Sequence, residues 1–268
     1  MLKRITILLA VSSLAMAQGT LTPQERKAGW KLLFDGKTFA NWQDPAKMTP
    51  AGDGWTIVDG FIKPKPHPSF TEDLVSVGKY GDFELTWDWK ISPGGNSGLK
   101  YRIQEFVPIA TENRASKKFE DTVEDAANRG TTRAKAAAEK GTQSYVVGFE
   151  YQMIDDDKHR DAQRGPLYQT GSLYSMIPRT KQAAKPVGEI NHSRLVVKGV
   201  HIEHWLNGEK VVDGSLVDPV IGEGLAKRWG TTSKVYNWLV KQPRKECWIS
   251  LQNHGDEAWF NNIKIRKL

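Results

Sequence analysis

The sequence predicts an all-β sandwich or jelly roll carrying one helical insertion, and three observations lead to it. Short strand-like runs follow one another at regular spacing from near the start to the last residues. Turn signals such as Asp59-Gly60, Pro93-Gly94-Gly95 and Asn207-Gly208 separate them. The run 83–91 is apolar at every odd position, which is the period of a strand with one face in a core. No linker divides two complete sets of strands, so the 268 residues make one domain.

The first residues read as an export signal. Lys3 and Arg4 precede an apolar run, 5–14, and Ala15-Met16-Ala17 fits a small-x-small cleavage site. Residues 1–17 are therefore expected to be removed, leaving 18–268 as the mature domain. The run is too short for a membrane anchor. Cys247 is the single cysteine and reads as a buried free thiol. An exported chain without disulfides relies on its core, which suits the bacterial periplasm or secretion. The net charge of +7 comes from Lys and Arg scattered along the chain, and this reads as a solvated surface with no nucleic-acid partner.

In chain order, 30–34 reads as a strand closed by Asp35-Gly36. Residues 55–58 and 61–63 form a hairpin about Asp59-Gly60. Pro64, Pro66 and Pro68 assign 64–68 to a rim loop. Strands follow at 74–77, 83–91 and 99–104. The stretch 107–141 is rich in Ala, Lys, Glu and Arg and reads as a helical insertion, with helix propensity strongest over 134–140. Strands resume at 148–157, 171–174, 192–198, 201–206 and 210–213. Residues 216–240 read as a helix-bearing excursion, and 247–255 with 258–265 as a closing hairpin.

The run 148–157 organises the rest. Phe149, Tyr151 and Met153 alternate with Glu150 and Gln152, and the acids Asp155, Asp156 and Asp157 follow. A carboxylate and an amide share the polar face, and Lys100, Arg102 and Gln104 supply a similar face on another strand. A sheet face of this kind suits a ligand rich in hydroxyls. Ten Trp point the same way, since Trp serves as a platform for sugar rings, although most of them are expected in the core.

Several pieces, taken in order, resemble the 3-keto-disaccharide hydrolase domain family. They are Trp30-Lys31-Leu32-Leu33-Phe34-Asp35-Gly36-Lys37, Asn96-Ser97-Gly98, Glu150-Tyr151-Gln152, Gly171-Ser172-Leu173-Tyr174, His204-Trp205-Leu206-Asn207-Gly208 and Leu251-Gln252-Asn253-His254-Gly255. The likeness runs from about Gly29 to Leu268, and the 107–141 insertion departs from it. The resemblance implies a concanavalin-A-like jelly roll, export, and the breaking of sugars already oxidised at the third carbon.

A ketone at the third carbon acidifies the proton on the second. A base removes it, the substituent on the first carbon leaves by β-elimination, and water adds back. Donors or a metal must hold the developing enolate. Glu150, His254 and Asp155 are candidates for proton transfer. Arg102 is the expected electrophilic partner, and Lys100, Gln152, Asn96, Asp155 and Gln252 are expected to bind the saccharide. Plainer readings stand beside these: Arg102 and Glu150 as a cross-strand ion pair, His254 as a turn residue, and His192, His201 and His204 as structural. Asp155, Asp156, Asp157 and His159 read as an acidic surface loop, or as a hard-cation site. The sequence requires no cofactor and assigns no metal ligand, and a divalent cation at the enolate is left open. Two other functions fit the same residues. One is a non-catalytic carbohydrate-binding module. The other is a two-carboxylate glycosidase, which Gln152 and the odd spacing of Glu150 and Asp155 disfavour.

Overall fold

Two antiparallel sheets pack face to face. The structure is a computed structural model and describes residues 19–46, 51, 54–65, 72–110, 118–130 and 142–268. The expected signal 1–17 and the 134–140 helix lie outside the described residues. The larger sheet runs in the order β11 (Glu209–Ser215), β10 (His201–Leu206), β9 (Asn191–Lys198), β6 (Phe83–Ile91), β13 (Ala258–Lys267), β4 (Phe61–Pro64), β3 (Trp55–Val58), with β1 (Lys31–Leu32) also paired to β13. The smaller runs β2 (Trp42–Gln43), β5 (Leu74–Ser76), β12 (Trp248–Leu251), β7 (Asn96–Ala110), β8 (Thr142–Ile154). This is the expected jelly-roll sandwich.

Period-two alternation builds the core between the sheets. Leu85, Trp87 and Trp89 of β6 and Phe260 of β13 face Leu99 and Tyr101 of β7 and Phe149, Tyr151 and Met153 of β8, all of them buried. Trp87 meets Tyr151 edge-on across the sandwich, with ring centroids 5.0 Å apart. A polar thread also crosses this core. Tyr151 Oη donates to Trp205 O and accepts from Ser193 Oγ, while Trp89 Nε1 donates to Ser193 Oγ. Tyr101 Oη lies 2.9 Å from Nε2 of the fully buried His204, and burial holds that imidazole down at about 4, so it stays neutral. His204 is therefore structural, as expected.

The two expected hairpins form with left-handed turn residues, φ 50° and 77° at Asp59-Gly60 and 51° and 87° at Asn207-Gly208, as two-residue turns require. The expected closing hairpin does not form. β12 pairs with β5 and β7 in the smaller sheet, whereas β13 pairs with β1, β4 and β6 in the larger. The Gly255 turn therefore carries the chain from one sheet to the other.

The insertion is narrower than 107–141, because β7 continues to Ala110 and β8 begins at Thr142. Its described part is α1's successor in the chain. After α1 (Pro23–Lys27), α2 (Phe119–Arg129) ends on Gly130 in the left-handed region, φ 63°. The 216–240 excursion holds α3 (Pro219–Trp229). Arg228 Nε donates to Glu120 Oε1 at 2.9 Å, and Glu124 accepts from Lys234 N, so the two helical segments are tied together. They stand as a wall over the outer face of the smaller sheet. Among the described residues, no helix is long and apolar enough to cross a membrane.

Candidate functional site

The alternation that turns Leu99, Tyr101, Phe149, Tyr151 and Leu251 inward turns Lys100, Glu150, Gln152 and Gln252 outward. There they floor a cleft of about 350 Å³. Phe119 and Thr122 of α2, Arg228 of α3, Tyr145 and Tyr174 form its walls, and Asp73, Asn96, Asn253 and His254 complete it.

Glu150 is the centre of this arrangement. It lies directly across from Lys100 in the β7–β8 register. Its Oε2 accepts from Gln252 Nε2 at 3.2 Å. Burial pushes its carboxyl up to about 7, while Lys100, Arg228 and the Gln252 hydrogen bond pull the other way. Gly98 makes room for the side chain. A Cβ there would lie 2.7 Å from Glu150 Oε1 and 2.9 Å from its Cγ.

Lys100 is fully enclosed. Burial alone would lower its pKa, but Asp73, Glu150 and Tyr145 more than offset that, and it stays a cation. Its Nζ donates to Asp73 Oδ2 at 3.0 Å. Asp73 also accepts from Ser250 Oγ and Asn253 N, so its oxygens are engaged. Three side-chain atoms of the lining have no partner: Asn96 Oδ1, Gln252 Oε1 and Asn253 Nδ2. A buried polar group left unpaired costs about 1–3 kcal/mol, so these three atoms hold polar capacity that the protein itself does not fill.

Six of the eight expected site residues therefore share one cleft: Glu150, Gln152, Lys100, Asn96, Gln252 and His254, the last at the exposed rim. Arg102 does not join them. It sits in a bulge between Tyr101 and Glu105 with φ 51°, which turns its side chain away from the cleft face. Its guanidinium donates instead to Gly199 O at 2.6 Å and to Lys245 O, and lies 3.5 Å from Asp82 Oδ1. There is no Arg102–Glu150 pair. Asp155 also lies elsewhere. Its carboxylate accepts from Gly94, Asp157 and Lys158 N, and these bonds hold its pKa below the usual value against the opposing effect of burial. It fastens the end of β8 to the β6–β7 turn. Asp156 is likewise engaged, by Arg179.

Asp73, Tyr145, Tyr174 and Arg228 escaped sequence reasoning. Tyr174 stood in a motif with no role attached, and nothing near Asp73 or Arg228 in the chain marks them. Among the described residues no Trp lines the cleft, and its aromatic surface comes from Phe119, Tyr145 and Tyr174. Among the described residues one trio of metal-ligand type comes together, His201, Glu203 and Asp213, on the larger sheet. Lys210 Nζ already serves it, 2.9 Å from Glu203 Oε1 and 2.5 Å from Asp213 Oδ2.

A family model described as the 3-keto-alpha-glucoside-1,2-lyase-like domain matches residues 29–266. The chain belongs to this family. A 3-keto-disaccharide hydrolase from Bacteroides thetaiotaomicron is 31% identical over 254 residues, which cover 90% of this chain and 79% of that protein. A candidate glycosyl hydrolase structure from Parabacteroides distasonis superposes with a TM-score of 0.67 at 27% identity, covering 94% of this chain and 99% of the other. A second from the same organism shares the fold, with a TM-score of 0.57 at 24% identity and coverage of 89% and 99%. The family agrees with the resemblance carried by the sequence motifs.

Proposed function

We propose that this chain is an exported enzyme that cleaves 3-keto-glycosides by elimination and hydration. The observation that carries the reading is Glu150, a carboxylate on the floor of a polar cleft whose burial sets its pKa at about 7. A base with that value is both ionised and basic near neutral pH. Glu150 takes the proton from the second carbon. Lys100 and Arg228, in place of Arg102, are the cations that meet the developing enolate oxygen. The partnerless Asn96 Oδ1, Gln252 Oε1 and Asn253 Nδ2 are the groups that hold ring hydroxyls. His254, at the rim, exchanges protons with water.

The cleft does hold a second carboxylate, Asp73, but it is bound to Lys100, Ser250 and the Asn253 backbone. It is not free to act as the partner acid of a conventional glycosidase. The test is turnover of a 3-keto-disaccharide beside its unoxidised parent, with and without a chelator. Cleavage of the keto sugar alone is expected, and the chelator arm reads whether a divalent cation takes part. Cleavage of the parent as well refutes the elimination route. Binding without cleavage of either leaves a sugar-binding module.

A further inference from the structure

A second, larger cleft of about 690 Å³ adjoins the first. Tyr174 and Arg228 line both. Beyond them it is bounded by Arg164, Tyr168, Met176 and Gly224, with the acids Glu120, Asp121 and Glu223 in the same wall, a mixture of aromatic, apolar and oppositely charged surface. Tyr168 stands edge-on to Tyr174 with centroids 5.4 Å apart, and Arg164 stacks on Tyr168 at 3.8 Å. The first cleft has the dimensions of the smallest ligand pockets, and the pair together have room for more than one sugar ring. A glycoside lying across both would place its scissile bond beside their shared wall.

That wall is well held. Tyr174 N donates to Glu150 O at 3.0 Å, and Leu173 bridges to Tyr151, so the segment runs along the free edge of β8. The Tyr174 ring is thereby fixed next to the residue that carries the base. Tyr145 also lines the first cleft but does not reach the second. From this juxtaposition, and resting on the function proposed above, we infer that the second cleft receives the leaving group, a second sugar ring, and that Tyr174 protonates its departing oxygen.

The atoms balance. Glu150 accepts the proton of the second carbon, and the electron pair collects on the carbonyl oxygen as an enolate. The pair returns to form a double bond between the first and second carbons as the bond from the first carbon to the leaving oxygen breaks. The phenol proton passes to that oxygen, leaving a phenolate near Arg228. Water then adds to the first carbon and gives its proton to the phenolate, while Glu150 returns its proton to the second carbon. Glycoside and water become two hydroxyl products. Burial, with the Glu150 charge, pushes the Tyr174 phenol up to about 12, so it holds its proton at neutral pH until the leaving oxygen demands it.

Leaving-group dependence tests this. With wild-type protein and Tyr174→Phe, kcat is measured on a 3-keto-disaccharide and on 4-nitrophenyl 3-keto-glucoside, whose phenoxide departs without protonation. An acid at Tyr174 predicts a loss of about 10²- to 10⁴-fold on the disaccharide and less than about threefold on the nitrophenyl substrate. Equal losses on both, or none on either, overturn the assignment. Gly224→Phe fills the second cleft, and a Cβ at that position meets nothing closer than 3.8 Å. It is expected to lower kcat/KM on the disaccharide by about tenfold or more while leaving methyl 3-keto-glucoside unaffected. Loss on both substrates, or on neither, refutes the subsite. Wild-type protein that cleaves no keto substrate at all refutes the parent function instead, before any variant is compared.

Discussion

Glu150→Gln should abolish turnover and at the same time stabilise the protein at neutral and alkaline pH. The reason is the environment that raises the carboxyl. Holding it at about 7 in the folded state, against an ordinary 4.5, costs roughly 3 kcal/mol once both states are ionised. Partial exposure of the residue makes that figure an upper bound. The sign follows from linkage. Below 4.5 the group is protonated in both states and the cost vanishes. It grows as pH rises from 4.5 to 7, because the unfolded chain gives up its proton first, and is constant above. Glutamine keeps the shape without the charge, and Lys100 retains Asp73 as its partner. At about 2–4 °C per kcal/mol for a domain of this size, the Tm advantage of the variant should widen by up to roughly 10 °C between pH 4 and pH 8. The assay is thermal denaturation of both proteins across that range, beside kcat/KM. Wild-type kcat/KM should rise with pH about a midpoint near 7, and the variant should lose about 10²- to 10⁴-fold. A variant that is less stable than wild type by the same amount at every pH would refute the reasoning, for it would make Glu150 a structural partner of Lys100.

Gly98→Ala places a methyl 2.7 Å from Glu150 Oε1, so the side chain must swing aside. We expect kcat to fall about 10- to 100-fold with little change in Tm, and an unchanged kcat would show that the Glu150 position is not critical. Arg102→Ala leaves the Gly199 and Lys245 carbonyls without their donor. It should cost about 1–3 kcal/mol in thermal or urea denaturation and leave kcat of the folded protein intact, whereas a lost kcat would return Arg102 to the site. Tyr151→Phe deprives Ser193 Oγ and Trp205 O of a buried partner. A destabilisation of about 1–2 kcal/mol is expected, and urea denaturation checks it.

Local pattern revealed most of the architecture because most of the architecture is local pattern. Phe83–Ile91 is a strand to the residue, since its alternation is unbroken and Ser92 to Gly95 must turn. Asp59-Gly60 and Asn207-Gly208 make hairpins for the stereochemical reason that recommends those pairs. The errors arise where a local signal is ambiguous about its distant partner. Residues 247–255 and 258–265 look like two arms of a hairpin, yet the same turn chemistry serves a chain that changes sheets. Here Leu251 and Phe260 both reach the core, from opposite sides.

The cleft divides along the same line. Glu150, Gln152, Lys100 and Gln252 were legible because a strand with one face in the core must present its alternate residues on the other. Arg102 shares that spacing, two residues beyond Lys100, and the rule fails there for a definite reason. An arginine at φ 51° in a bulge has no mark in the sequence, and one such residue inverts the face of everything it controls. Arg228 and Tyr174 belong to a different class. They reach the cleft only because α3 is bound to α2 through Glu120, and because 171–174 lies along β8. Alternation shows which face of a sheet is polar, whereas only tertiary packing decides what closes over it. In this protein that closure brings Tyr174 and Arg228, the residues that line both clefts, over the polar face of the smaller sheet.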